Sequence, residues 1–254
     1  MVKYAYSLKI PKKAKTQGDF LCEGFHLVRE AFRSGLKIRF VFGTSGAWGC
    51  EEGKKVSSEA AKEKVRCFET TPKIISYLSD TAAPQGILAV ADKPVFAWPA
   101  PPFSTVLAVY QVQDAGNMGT LFRSAEAFGV QALFLTDGCC DPFNPKVVRA
   151  SMGSLFRLPF VQDRPWNEYA HWFRQNNFRS YALALNASKP LIKTDFSKPM
   201  ALWIGTEGAG LPNELVQSCD DSVGIPMCGE TESLNVGVAA SIALFWARFG
   251  GPVS

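Results

Sequence analysis

Three stretches of the chain place glycines and polar side chains directly behind apolar runs, a pattern that lets backbone N–H groups and charged groups approach a ligand closely. The first, from Gln113 to Val130, opens with Asp114, Gly116, Asn117 and Gly119 and carries Arg123 farther along. Leu121, Phe122, Ala125 and Phe128 fall on one helical face, with Asn117 or Thr120 as the cap. Arg123 lies off that face. There a guanidinium either pairs with Glu126 three residues on or meets a phosphate through its rigid fork, and the residues alone leave both open.

The second stretch, GTEGAGLP, holds Gly205, Glu207, Gly208 and Gly210. It matches neither the dinucleotide fingerprint nor the phosphate-binding loop that ends in Lys-Ser/Thr. The third, PMCGETESLNVGVAAS, places Ser233 and Asn235 just before an apolar helix. Capping accounts for one of these polar residues but not for the whole ESLN run.

Strands and helices must present these segments. Continuous apolar runs at Val106 to Val112, Ala132 to Leu135, Tyr181 to Leu185, Ala201 to Ile204 and Val223 to Ile225 predict buried strands. Helix-like stretches between them predict an α/β fold with a mostly parallel sheet. Such sheets bind ligands beyond the carboxyl ends of their strands, where the three polar segments fall. A last helix is predicted from the stripe Val238, Ile242, Phe245, Trp246 and Phe249, stopped by Gly250-Gly251-Pro252.

The prolines of KPVFAWPAPPFS, between Lys93 and Ser104, predict a linker, giving an N-terminal domain over 1–97 and a second over 98–254. In the first, Phe20 to Ser34 has helical spacing, while Ile38 to Phe42 and Ile87 to Val90 read as short strands. This domain is small and α/β.

Composition narrows the chemistry. The chain has 254 residues, 47% apolar and 20% charged, as folded globular proteins do. Its uninterrupted apolar runs reach about six residues, and its start lacks an apolar leader, which predicts a soluble, cytoplasmic protein with no membrane partner. Seven cysteines without a Cys-x-x-Cys pair and only two histidines, His26 and His171, predict no metal site. Residues 1–97 hold 16 Lys+Arg against 10 Asp+Glu, a net of +6, and the remainder 11 against 13, a net of −2. The start, with Lys3, Lys9, Lys12, Lys13 and Lys15 and no acid, reads either as a docking arm for a polyanion or as a solvated basic tail.

The three segments, taken in order as DAGNMGTLFRSAEAFGV, LWIGTEGAGLP and IPMCGETESLNVGVAASIALF, resemble the motifs of the SpoU (TrmH-type) branch of the SPOUT RNA methyltransferases. VVRASMGSLFRLPF resembles the segment that joins the first two motifs. FLCEGFHLVREAF and SDTAAPQGILAV are similar to an N-terminal substrate-binding domain found in many members. Nearly the entire chain is covered.

The resemblance implies transfer of a methyl group from S-adenosyl-L-methionine to a ribose 2′-hydroxyl of structured RNA. Large-subunit ribosomal RNA is favoured, with transfer RNA, or a non-catalytic RNA-binding or ribosome-assembly protein, as alternatives. It also implies a homodimer and a SPOUT domain whose C-terminal segment threads a deep trefoil knot, against the usual rule for chain topology. By resemblance, Arg123 is the catalytic residue, supported by Asn117, Glu207, Ser233 and Asn235. Leu185, Gly205, Glu207, Ile225, Met227 and Leu234 are expected around the cofactor. Lys12, Lys13, Lys15 and Arg149 are expected on RNA. A guanidinium stays protonated in neutral water, so a phosphate or oxyanion clamp suits Arg123 better than a base, though a proton-accepting role stays open. Gly237, where relatives often have Ser, and Met118, where Leu or Ile is common, depart from the pattern.

Overall fold

The structure is a computed structural model and describes residues 1–98 and 102–250. The chain forms two compact units. The first comprises 1–95 together with 142–157, and the second 96–141 with 158–254.

In the first unit, helices α1 (Val2–Ser7) and α2 (Pro11–Thr16) lead into strand β1 (Asp19–Glu23) and helix α3 (Phe25–Arg33). Strand β2 (Ile38–Thr44), helices α4 (Ser45–Gly49) and α5 (Glu51–Lys62), strand β3 (Arg66–Thr70), helix α6 (Pro72–Leu78) and strand β4 (Ile87–Asp92) follow. The sheet order is β1-β4-β2-β3, with β2 and β3 parallel and the other pairs antiparallel. Leu21, Phe40, Phe42, Ile75, Leu78, Leu88 and Val90 form its core with Ala5 and Leu8 of the amino-terminal segment.

The single helix predicted over 20–34 is a correction. Phe20, Leu21 and Cys22 are strand, and the helix begins only at Phe25. Gly24, at φ +89°, makes the break in a conformation that only glycine adopts without strain. The spacing misled because a fully buried strand and a helix face both read as apolar.

The second unit starts with β5 (Thr105–Val109), α7 (Ala115–Ala127) and β6 (Ala132–Thr136). The chain then enters α8 (Pro145–Ser151) and α9 (Ser154–Arg157), which cluster with the first unit. It resumes the second at β7 (Phe160–Arg164), α10 (Trp166–Gln175), β8 (Arg179–Leu183), β9 (Lys189–Pro190) and β10 (Met200–Ile204). Helix α11 (Asn213–Ser218), β11 (Asp221–Gly224) and α12 (Val236–Phe249) complete it.

All seven strands are parallel, in the order β7-β6-β5-β10-β8-β11-β9. Strands β5, β6 and β10 are buried along their whole lengths, the state that continuous apolar runs predict for a sheet covered on both faces. Phe134, Tyr169, Phe173 and Trp203 dominate the core on one side, and the Tyr169 hydroxyl donates to the Leu135 carbonyl at 3.0 Å.

Four of the five residues predicted as a stripe on the last helix face outward, while Trp246 is half-buried and donates Nε1 to the Thr194 carbonyl at 3.3 Å. Val238, Ile242, Phe245 and Phe249 are exposed, and the covered positions are Val236, Gly237, Ala240, Ala243 and Leu244. Small residues on that face let α12 lie close to α7. A Cβ on Gly237 would stand 2.9 Å from Thr120 Cγ2, and the hydroxyls of Ser124 and Ser241 share a 2.6 Å hydrogen bond. Around the predicted linker, the described residues form neither helix nor strand, while Pro99 and Pro101 lie outside them.

Candidate active site

Strand β5 ends at Val109, and the turn behind it delivers Asp114 as the cap of α7. The Asp114 carboxylate accepts from the Asn117 backbone N–H at 2.8 Å, so the predicted caps Asn117 and Thr120 are corrected. Thr120 donates instead to the Gly116 carbonyl. This leaves the Asn117 side chain available for longer reach. Its Nδ2 donates to Glu207 Oε1 at 3.1 Å, and its Oδ1 accepts from Asn235 Nδ2 at 2.8 Å. The Asp114 N–H also donates to Glu207 Oε1, at 3.1 Å. Asn235 in turn caps α12, its Oδ1 accepting from the N–H groups of Gly237 and Val238. One chain of hydrogen bonds thus joins the loops behind β5, β10 and β11.

Burial raises the Glu207 carboxyl, but the Asn117 amide and the backbone N–H groups at Glu207 and Asp114 outweigh it and hold the group below the usual carboxylate range. Glu207 is therefore ionised in neutral water. It offers a fixed negative charge rather than an acid.

Beside this chain a pocket opens at the carboxyl ends of β8, β10 and β11. Leu185, Gly205, Glu207, Ile225, Met227 and Leu234 all line it, as does Ser233. Gly205 itself is buried and lets the loop pack tightly on its own backbone, because no side chain fits there. A Cβ there would stand 2.1 Å from the Gly210 carbonyl carbon and 2.4 Å from the Leu211 nitrogen. Thr206 and Gly210 close the loop by exchanging backbone hydrogen bonds at 3.0 and 3.2 Å. Leu185 and Met227, 69% and 36% exposed, leave apolar surface uncovered at the pocket. Sequence reasoning did not single out Thr206, Val236 or Ala239, which also line it. Thr206 was legible only as part of the glycine loop, and the other two only as helix residues.

Arg123 is exposed on α7 and is not part of the pocket lining. It lies six positions beyond Asn117, about 9 Å along the helix axis. Among the described residues its side chain has no hydrogen bond or ion pair, so the pairing with Glu126 does not form. Arg149 belongs to the first unit, 3.8 Å from Glu23 Oε2. Lys13 is exposed on α2, whereas the side chains of Lys12 and Lys15 lie outside the described residues. Lys9, counted in the basic start, is engaged with the Ser79 carbonyl and the Asp80 carboxylate. Among the described residues, no three of His, Cys, Asp and Glu gather as metal ligands do.

Comparison with known proteins fits this arrangement. The SpoU rRNA Methylase family matches residues 104–245, which include the entire pocket lining and its hydrogen-bonded chain. The chain belongs to this family. An MRM3-like substrate binding domain matches residues 1–89. The 23S rRNA (guanosine(2553)-2′-O)-methyltransferase RlmP of Bacillus subtilis is 33% identical, with 93% of this chain and 92% of the relative covered. The 23S rRNA (uridine(2479)-2′-O)-methyltransferase of Streptomyces viridochromogenes is 30% identical over 92% of this chain and 84% of its own. A crystal structure of an AdoMet-bound rRNA methyltransferase from Sinorhizobium meliloti superposes with a TM-score of 0.85 at 29% identity, covering 97% of this chain and 93% of that one.

Two outcomes test this geometry. Gly205→Ala should lower stability by about 1–3 kcal/mol through overpacking against backbone, whereas Gly208→Ala, with nothing within 4 Å of its Cβ, should be near neutral in urea unfolding. A carboxyl lowered by folding contributes stability that is complete above its unfolded value of about 4.3 and is lost as pH falls through the lowered folded value. Thermal unfolding of the full chain and of Glu207→Gln should therefore differ above about pH 5 and converge on acidification below about pH 4. Curves that stay parallel throughout would contradict the role given to Glu207.

Proposed function

We propose that this SpoU-family chain uses S-adenosyl-L-methionine to methylate a ribose 2′-hydroxyl of large-subunit ribosomal RNA. The observation that carries this reading is the pocket at the strand carboxyl ends, built from the second and third motif loops and tied to the first by the Asn117 side chain. The names of the two curated relatives, both for 2′-O-methylation of 23S rRNA, favour ribosomal over transfer RNA.

The residues present suit such a cofactor. The tightly packed Gly205 loop forms one wall of the pocket, Leu185 and Met227 offer apolar surface for a flat heterocycle, and the ionised Glu207 supplies negative charge. When bound, the cofactor supplies a methyl group on a sulfonium already activated toward an oxygen nucleophile. The chain must then bring that oxygen into line and handle its charge. Gly205, Ile225 and Leu234 hold the cofactor through backbone groups, with Leu185, Glu207 and Met227 beside it. Asn117 and Asn235 act by positioning, since both ends of each amide are already engaged with the loops they join. Ser233 is exposed in the pocket wall and is free of that duty.

Arg123 grips the phosphate next to the target ribose and steadies developing charge on its oxygen, a role its lack of any protein partner supports. Arg123→Ala and Arg123→Lys should each cut methylation of ribosomal RNA by at least about a hundredfold, the usual scale for loss of an oxyanion-stabilising donor. Cofactor affinity by calorimetry should be unchanged. Turnover equal to that of the unaltered chain would remove Arg123 from the mechanism.

The protein works as a homodimer, with its carboxyl-terminal segment threaded as in SPOUT relatives. The support is the outward stripe of α12, Val238, Ile242, Phe245 and Phe249, whose 4-3-4 spacing keeps four apolar side chains exposed on one helix face. Their covering by a second copy would be broken by a buried charge. Phe245→Glu should therefore sediment as a monomer where the unaltered chain sediments as a dimer. Among the described residues no helix is long and apolar enough to cross a membrane.

A further inference from the structure

The first unit has its own cavity, of about 300 Å³, beside the Gly24 turn, the 81–85 loop and the end of α8. His26, Thr81, Gln85, Arg149 and Met152 are among its walls, and every lining residue belongs to that unit.

Its hydrogen-bond donors exceed what the protein uses. Arg149 Nη1 is buried without a hydrogen-bond partner, and Glu23, its ionic neighbour, does not depend on it. That carboxylate already accepts from the Ser79 and Thr81 hydroxyls and the Asp80 N–H. Gln85 places its carbonyl oxygen on the Phe25 N–H at 3.0 Å, and its amide N–H groups meet no acceptor among the described residues. The Arg149 side chain as a whole keeps 29% of its surface exposed and lines the cavity, so the guanidinium is available to a ligand oxygen there apart from the enclosed Nη1.

The remaining walls are flat or soft. The His26 ring is exposed, with Nε2 3.4 Å from the Met152 carbonyl. Met152 itself is 42% exposed, held there by a left-handed backbone, φ +51°, where α8 stops. An imidazole face and a thioether beside it form the kind of platform on which bases stack.

Charge points the same way. Residues 1–95 with 142–157 hold 19 Lys+Arg against 10 Asp+Glu, a net of +9, while the second unit holds 8 against 13, a net of −5. The segment 142–157 alone adds Lys146, Arg149 and Arg157 and no acid. The cavity stands at the small end of ligand sites, suited to one nucleotide and too small for a duplex. Sequence is read in RNA chiefly from such splayed-out bases.

We propose that this cavity takes a single unpaired nucleotide of the RNA substrate, its base against His26 and Met152, its acceptors on Gln85 and a backbone phosphate on Arg149. The proposal rests on the RNA-methyltransferase reading and adds where the substrate is recognised.

Fluorescence anisotropy with the full chain and a labelled single-stranded RNA dodecamer of mixed sequence, against the same strand in a duplex, tests it. The single strand should bind more tightly than the duplex. Arg149→Ala and Met152→Gly should each weaken single-strand binding by about tenfold and leave duplex binding unchanged. Met152→Gly keeps the left-handed backbone at no steric cost, and unchanged thermal unfolding with unchanged duplex binding separates a loss on the single strand from misfolding. Single-strand affinity unchanged in both variants, or equal losses on single strand and duplex, would overturn the proposal. Calorimetry with S-adenosyl-L-methionine on the same proteins is a separate readout. Absence of cofactor binding there defeats the methyl-transfer reading, whereas normal cofactor binding with unaltered RNA affinity defeats only this cavity.

Discussion

Glu207, Asn117 and Asn235 hold together three loops that no backbone ladder joins. Each amide uses one end to accept and the other to donate, so removing either one leaves its neighbours short of a partner in a partly screened site. The pocket depends on this because two of its walls, the Gly205 loop and the segment before α12, are irregular backbone. The parallel sheet fixes only where those loops begin. Their mutual distance is set by side chains.

The second unit follows from burial. Runs such as Val106 to Val109 and Ala201 to Ile204 are apolar at every position because helices cover both faces of the sheet, and this continuity made the strands legible. The edge strands were not. Strand β7 mixes Phe160 and Val161 with Gln162, Asp163 and Arg164, three exposed polar residues at the sheet margin, and β9 is only Lys189 and Pro190. Strand β3 reads RCFET with three of five positions exposed. No apolar period marks segments like these, and they are placed by their neighbours in the sheet.

The site divides in the same manner. Motif order brought the six pocket residues onto the page by resemblance, and the structure sets all six around one cavity. Which polar residue would cap α7 was misjudged because Asp114, Asn117 and Thr120 are all competent caps, and only the demand of Glu207 and Asn235 for the Asn117 amide decides among them. The α12 stripe was legible as a stripe but not in direction. Periodicity reports that one face differs from the other, and here the buried face carries the smaller residues, Gly237, Ala240 and Ala243, with Gly237 set against Thr120 of α7.

The excursion of 142–157 bears on how separable the halves are. Phe156 packs its ring on Phe20, Phe143 does the same, and Arg157 pairs with Glu30, so this stretch of the later sequence is built into the earlier one. The polypeptide crosses between the units three times, not once. The front half is therefore not a detachable cassette. Recombination or gene fusion that exchanged residues 1–97 alone would part Phe143 and Phe156 from Phe20 and Arg157 from Glu30.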